Sequence, residues 1–456
     1  MDASEPSLAR GENWGREFPL LRPPDQADLT AIRQLAASLP QATPAERAEA
    51  AAKAGLLKDL AASFWPAVAR DVESWSRRRV GNLAEVVERF DEIAEALGYE
   101  PHERGSQGDE GDPKRLETSP AGAGPELRLK DSRIDRCNLS SASVNWPIRL
   151  EHCLWAGPAV FVGVGFRAPA SFLGSTFLSD AHFFAATFDA QAFFGGADFG
   201  GPADFRGAGF AAEVSFFGAN FRESLELRFA TLAPSSELNI QELRFKGSTA
   251  LGGGLHLHLQ QLRTGRWPKF TGRIAGENSP DRHDLAAACE QYGELEANFA
   301  AQGSPHASAA RDWCHYRYMD LARRAHCPRW SPMRLWNWLF LKWCFGYGIY
   351  TKRILLTGLL VLALFALLFF TNGLGLSPDQ WAVTNNDTPP VDIASTGPWY
   401  FRLGNALYFS AVTFSTIGYG DFHPQHWAKL AGGIEGLLGV FIMAVFTVSF
   451  SRKILR

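Results

Sequence analysis

The sequence predicts a mixed fold: a narrow stacked β coil in mid-chain, an α-helical two-span membrane region after it, and a helical N-terminal region before both. Three observations carry this. An apolar residue recurs at alternating spacings of five and six through most of residues 129–243. Residues 354–371, ILLTGLLVLALFALLFFT, hold no charge. Residues 28–99 are rich in Ala, Leu, Glu and Arg, with apolar positions at helical spacing, as in NLAEVVERFDEIAEALGY.

At 456 residues the chain is too long for one compact domain. Its text divides into a helical region (1–101), a linker (102–125), a repeat (126–270), a helical connector (271–330), an interfacial helix (331–353) and a membrane region (354–456). A net charge of -3 gives no bias toward nucleic acid. All six cysteines precede residue 345, which fits a reducing compartment for everything before the first apolar span. The opening MDASEPSLARGENWGREF lacks the basic start and apolar stretch of a signal peptide, so the N-terminus is expected in the cytoplasm. The linker text, ERGSQGDEGDPKRLETSPAGAGPE, has almost nothing to bury.

In the repeat, Leu129, Ile134, Leu139 and Val144 are five apart, and the unit then becomes eleven residues. One series runs Leu139, Leu150, Phe161, Phe172, Phe183, Phe194, Phe205, Phe216, Leu227, Leu238. The other runs Val144, Trp155, Phe166, Phe177, Phe188, Phe199, Phe210, Phe221, Leu232, Leu243. Two residues before most rings stands a small one, such as Ala170, Ser175, Ala181 or Ala192. A large residue at i with a small one at i-2 suits a crowded interior shared by stacked coils. Eleven residues also make three helical turns, but Gly and Pro in FGGADFGGPADFRGAGF exclude a long helix. The A-x-F pattern resembles the pentapeptide-repeat family, which implies a right-handed quadrilateral β-helix. The extra residue in every second unit departs from that family and implies coils of about 22 residues, stacking to a rod on the order of 24 Å. Residues 255–260, LHLHLQ, alternate like a strand that closes the last coil. Residues 139–247 hold ten acids and seven bases, too balanced for the DNA mimicry of some members of that family.

Two amphipathic helices follow, DRHDLAAACEQYGELEANFAAQG and HASAARDWCHYRYMDLARRAH. Cys314-His315 and His326-Cys327 approach zinc spacing, but both pairs lie in basic helical text and no metal is expected. WSPMRLWNWLFLKWCFGYGIYTKR mixes Trp, Lys and Arg with apolar residues, the pattern of a helix lying in the lipid interface.

Residues 354–371 span about 27 Å as a helix, close to a hydrocarbon core of about 30 Å. Residues 427–450 form a second span. Lys352 and Arg353 precede the first span and Arg452, Lys453 and Arg456 follow the second, while Asp379, Asp387, Asp392 and Asp421 lie between. The positive-inside rule puts both termini in the cytoplasm of an inner, or cell, membrane. Gly-Tyr-Gly occurs twice, at 346–348 and 418–420. The first copy precedes both spans and reads as a turn. The second ends STIGYGDFHP's re-entrant loop, after a short helix expected near 402–415 that does not cross the bilayer.

Span, short helix, TIGYGD and span resemble the two-transmembrane potassium channels of bacterial type, over about 351–456, with Ile417 where Val is common. The resemblance implies a homotetramer conducting K+ through a filter built from Thr416, Ile417, Gly418, Tyr419 and Gly420. A filter needs inward rings of carbonyl oxygens, which successive residues supply only if the backbone alternates between ordinary and left-handed conformations. Gly418 and Gly420 take the left-handed positions without a Cβ clash. Thr416 adds its hydroxyl at the inner end, Ile417 and Tyr419 turn outward as braces, and Asp421 attracts cations at the outer mouth. Gly436 and Gly439 are candidates for a gating hinge, or for close packing against the short helix. Glu435 is an ionisable residue inside a span, for which a hydrogen bond to the short helix or filter is the simpler reading. His423 and His426 flank the outer mouth. No helix carries voltage-sensing arginines at every third position, and GVGFRA at Gly163 belongs to the repeat rather than to a nucleotide fingerprint. Regulation is therefore expected from the N-terminal side, through a partner that the sequence does not name. No constellation of polar residues suggests an enzyme. The competing expectation is a membrane-anchored interaction protein with a vestigial pore.

Overall fold

The computed structural model describes residues 18–65, 77–101, 124–233, 236–245, 254–257, 274–302, 305–326, 332–377, 380–385, 392 and 397–454. The expected linker lies outside the described residues except for 124 and 125, as do Gln260, Cys327, Asp379 and Asp387. The chain forms two compact units, 1–321 and 322–456.

The first unit is a β-solenoid of about five turns with helices at both ends. At its start lie α1 (Gln26–Ser38), α2 (Pro44–Lys53), α3 (Ala61–Phe64) and α4 (Leu83–Leu97). Asp25 and Thr43 cap α1 and α2 with reciprocal capping boxes, and Gly98 ends α4 in the left-handed conformation. Short strands from β2 (Leu127–Lys130) to β24 (Leu255–His256) pair in parallel into four sheets, each holding one column of large residues. Pairing is offset by 22 residues through most of the coil, as in Ala170↔Ala192 and Phe177↔Phe199.

Stacking follows from strand spacing. Neighbouring strands lie about 4.8 Å apart, so rings in one column must stack: Phe161 on Phe183 at 4.8 Å, Phe177 on Phe199 at 4.7 Å, Phe172 on Phe194 at 5.0 Å. Across the bore they meet edge to face, as Phe172 and Phe183 do at 79°. Both arrangements suit the ring quadrupole. Ala170, Ala181, Ala192 and Ala203 are fully buried beside them. Each ring buried contributes about 1.5–3 kcal/mol.

The last coil departs from the eleven-residue count. Val214 pairs with Leu238 and Phe221 with Phe245, an offset of 24. Two residues are inserted after Leu232, so Ile240 and Phe245 continue the columns and Leu238 and Leu243 take the places of small residues. Because Leu238 and Ile240, and Leu243 and Phe245, are all apolar, the sequence count ran on without a visible break.

Both coil ends are covered. Before α4, β1 (Arg79–Val80) pairs in parallel with 133–134, and Leu20 bridges to Arg79. Phe64 stacks on Phe90 at 4.5 Å, and Tyr99 meets Trp146 of the first coil edge to face. At the far end, α5 (Arg282–Gln302) supplies side-chain amides to strand edges: Ile240 N–H donates to Gln291 Oε1 at 3.0 Å, and Gln302 Nε2 donates to the Leu255 carbonyl at 2.8 Å. An edge so paired cannot recruit another strand. Next, α6 (Pro305–His326) packs on α5, with Trp313 against Tyr292, and Glu277 is buried between the Tyr292 hydroxyl and the Arg317 guanidinium. Cys314 is fully buried, where burial pushes its thiol well above the ordinary range, and His315 faces Glu296 at 2.9 Å.

The second unit takes in the last turn of α6 and continues with α7 (Pro332–Trp336), a wide-wound turn over Asn337–Cys344 and a tight turn at Gly346–Gly348. Met333, Leu335, Trp336 and Trp343 are exposed there. Helix α8 (Thr351–Phe370), a short α9 (Asn372–Gly375), α10 (Trp399–Phe414) and α11 (Trp427–Ile454) follow. Thr351–Phe370 and Trp427–Arg452 are long and apolar enough to cross a membrane, with mean hydropathies of 2.5 and 2.0, and only 22% of each is buried within the unit. A soluble core helix would bury far more of its apolar surface.

Candidate functional site

Helix α10 packs between α8 and α11. It begins after Pro398, which is compatible with a helix start because the missing N–H is one that the first turn leaves unpaired. Phe369 of α8 meets Phe409 of α10 edge to face at 4.8 Å. Around them Ala406, Ala428, Ala431, Trp381 and Val383 complete a small core. Below it Ile354, Ile442 and Phe345 pack with Phe414.

The expected filter residues follow the C-terminus of α10. There the Ser415 N–H bonds to the Ala411 carbonyl, Thr416 N–H to Thr413 and Ile417 N–H to Val412, all within 3.1 Å. The chain then leaves the helix with φ of +58° at Thr416, +59° at Gly418 and +77° at Gly420, while Ile417 and Tyr419 keep ordinary negative φ. Left-handed and ordinary residues thus alternate over 416–420. Thr416 joins the two glycines in the left-handed set, beyond what its hydroxyl alone suggested, and that hydroxyl donates to the Ser415 carbonyl at 2.7 Å. A Cβ built at Gly418 or Gly420 would meet no atom within 4 Å. Conformation, not space, calls for glycine at both. Ile417 and Tyr419 are 58% and 69% exposed, so none of the described residues covers them.

Beyond the loop, Asp421 accepts the Phe422 N–H at 3.1 Å and the Tyr408 hydroxyl of α10. Next comes β26 (Phe422–His426), paired antiparallel with β25 (Trp381–Asn385) in the register Asn385↔Phe422 to Trp381↔His426. This pair was not read from the sequence. It ties the segment after the loop to the segment after α8, and it places His423 opposite Thr384 and His426 opposite Trp381. The faint signal was WAVTN, a short β-prone run in otherwise loop-like text.

The C-terminal turn of α10, just before the loop, rests on α11. A Cβ on Gly439 would lie 2.0 Å from the Phe414 carbonyl oxygen and 2.8 Å from its carbon. The last residue of α10 therefore sits directly on the Gly439 backbone. Gly436 lies one turn away, 3.6 Å from the Thr413 carbonyl oxygen by the same construction. Both glycines thus form a seat for the C-terminus of α10, while α11 runs on as one helix. Glu435 is fully buried, and the Ser410 hydroxyl of α10 lies against its Oε1. The same hydroxyl is 2.9 Å from the Leu362 carbonyl of α8. Ser410 was not singled out in the sequence, although it lies one helical turn before Phe414 on the side facing α11.

Residues 357–456 match the family model described as Ion channel, so this part of the chain is similar to ion-channel domains. No curated protein and no solved structure matches the chain.

Proposed function

We propose that the chain is one subunit of a potassium-selective channel, four copies of which surround one pore. The observation that carries this reading is the alternation of backbone hand through Thr416, Ile417, Gly418, Tyr419 and Gly420. Such alternation can turn successive carbonyls to one side, where rings of oxygens from several copies replace the water around K+. One loop supplies only a fraction of each ring, and the uncovered Ile417 and Tyr419 side chains support partner copies as their braces. The C-terminus of α10 precedes the loop, and the negative end of its helix dipole favours a cation there. Asp421 adds negative charge at the outer mouth. In this reading α8 and α11 cross an inner membrane with both termini in the cytoplasm, and the solenoid, similar to pentapeptide-repeat proteins, is a regulatory or interaction module.

Purified full-length protein in liposomes, loaded with K+ or Na+, tests this. The expected result is blocker-sensitive K+ flux exceeding Na+ flux by at least about tenfold, a preference of about 1.4 kcal/mol. Equal fluxes would sink potassium selectivity. Absence of any flux would favour the membrane-anchored interaction protein with a vestigial pore.

A further inference from the structure

Ser410 Oγ carries one proton and faces two acceptors, the Leu362 carbonyl at 2.9 Å and Glu435 Oε1. A carbonyl can only accept. If Glu435 were ionised, it too could only accept, and the two contacts would have to share the single Ser410 proton as a weaker three-centre bond. An acid proton on Oε1 resolves the count: Glu435 donates to Ser410, and Ser410 donates to Leu362. Three helices, α11, α10 and α8, are then linked by one directional chain of hydrogen bonds.

The surroundings point the same way. Glu435 has no exposed surface, and its Oε2 has no hydrogen-bond partner among the described residues. No cation pairs with it among the described residues, and the groups facing it from α10 and α8 are the Ser410 hydroxyl and, through it, the Leu362 carbonyl. An isolated buried carboxylate carries a desolvation cost that a neutral acid avoids. Because the side chain is enclosed by its own helices, a second copy of the chain has no access to neutralise it.

We propose that Glu435 is a positioning residue that stands as a neutral carboxylic acid and fixes α10 behind the filter through Ser410. Together with the Gly439 seat it holds the C-terminal half of α10 at two points, one polar and one steric, six residues and two residues before Thr416. The chemistry of the link is intrinsic to this chain, and its effect on selectivity rests on the proposed conduction.

Infrared difference spectroscopy on the full-length protein in lipid at neutral pH, wild type against Glu435→Gln, tests the protonation state. A protonated-carboxyl C=O band lost in the variant is the expected result. Loss of ionised-carboxylate bands alone overturns the assignment. In Ser410→Ala the acid loses its acceptor, so the band should move to higher frequency; an unmoved band overturns the hydrogen bond. Ion flux reads the positioning role. Glu435→Gln keeps an N–H donor and should hold the K+ to Na+ flux ratio within about twofold of wild type, while Glu435→Ala should lower it roughly tenfold. Equal ratios in all three proteins overturn the role. Should wild-type protein carry no flux, the conduction reading fails, and the infrared band still decides the state of Glu435.

Discussion

Gly346, Tyr347 and Gly348 all take positive φ, at 51°, 53° and 75°, whereas in the second copy only Gly418 and Gly420 do, at 59° and 77°. Three left-handed residues in a row curl the chain into a closed turn, with Gly348 N–H bonded to the Phe345 carbonyl and Ile349 N–H to Gly346. One reversal, at Tyr419, opens the second copy into an extended strip. The flanks account for the difference. Phe345 and Ile349 are both buried and draw the ends of the first copy together, while Ile417 and Asp421 on either side of the second are exposed. A tripeptide this short takes its conformation from where its neighbours are buried, and only the second copy is left open by its own chain.

The same substitution in both copies should separate them. In Gly418→Ala the new methyl meets no atom within 4 Å, so the fold should survive with unchanged circular dichroism. The left-handed conformation now costs about 1–2 kcal/mol in each subunit. In the proposed tetramer, four such penalties in one ring predict a loss of K+ flux of more than about a hundredfold, at about 1.4 kcal/mol per factor of ten. Flux within about threefold of wild type would show that Gly418 does not line the ion path.

A smaller effect is expected one layer back, where α11 carries the C-terminus of α10. In Gly439→Ala the methyl would sit 2.0 Å from a backbone oxygen that cannot swing aside, so α10 and α11 must part. Overpacking of this kind costs about 1–3 kcal/mol. Thermal unfolding in detergent should fall by several degrees and flux by roughly tenfold. If Gly439 acts chiefly as a hinge, the variant should instead keep wild-type stability and change only open probability.

The sequence made the repeating parts legible and hid the ones that depend on a single distant contact. Twelve Phe in strict rhythm announce a coil because every turn repeats the same physical demand, and the apolar run at 354–371 announces a span by length alone. The two-residue insertion after Leu232 escaped because apolar residues stand in both registers. β1 escaped because two residues, Arg79 and Val80, carry no period, and their pairing with Arg133 and Ile134 lies across more than fifty positions. β25 and β26 pair across about forty, with Pro424 inside a strand where Pro normally argues against one. At the site, the glycines of the loop were readable from backbone chemistry. The role of Ser410 was not, because a serine on an apolar helix gains meaning only from the carboxyl and carbonyl that the fold brings to it.

The mildest test returns to the first copy. In Gly346→Ala the methyl would lie 2.9 Å and 3.2 Å from Tyr350 side-chain atoms and 3.3 Å from Arg353 Cδ, at a φ of +51°. Tyr350 and Arg353 already stack on each other, ring to guanidinium at 4.9 Å, and a small shift of that pair relieves the contact. The remaining cost is the left-handed alanine, about 1–2 kcal/mol, seen as a modest drop in thermal stability. The K+ to Na+ flux ratio should stay within about twofold of wild type, because this turn lies outside the proposed filter residues 416–420. A tenfold loss of selectivity would mean that the turn before α8, packed beside Ser449 of α11 through Gly348, acts on the filter through the inner helix.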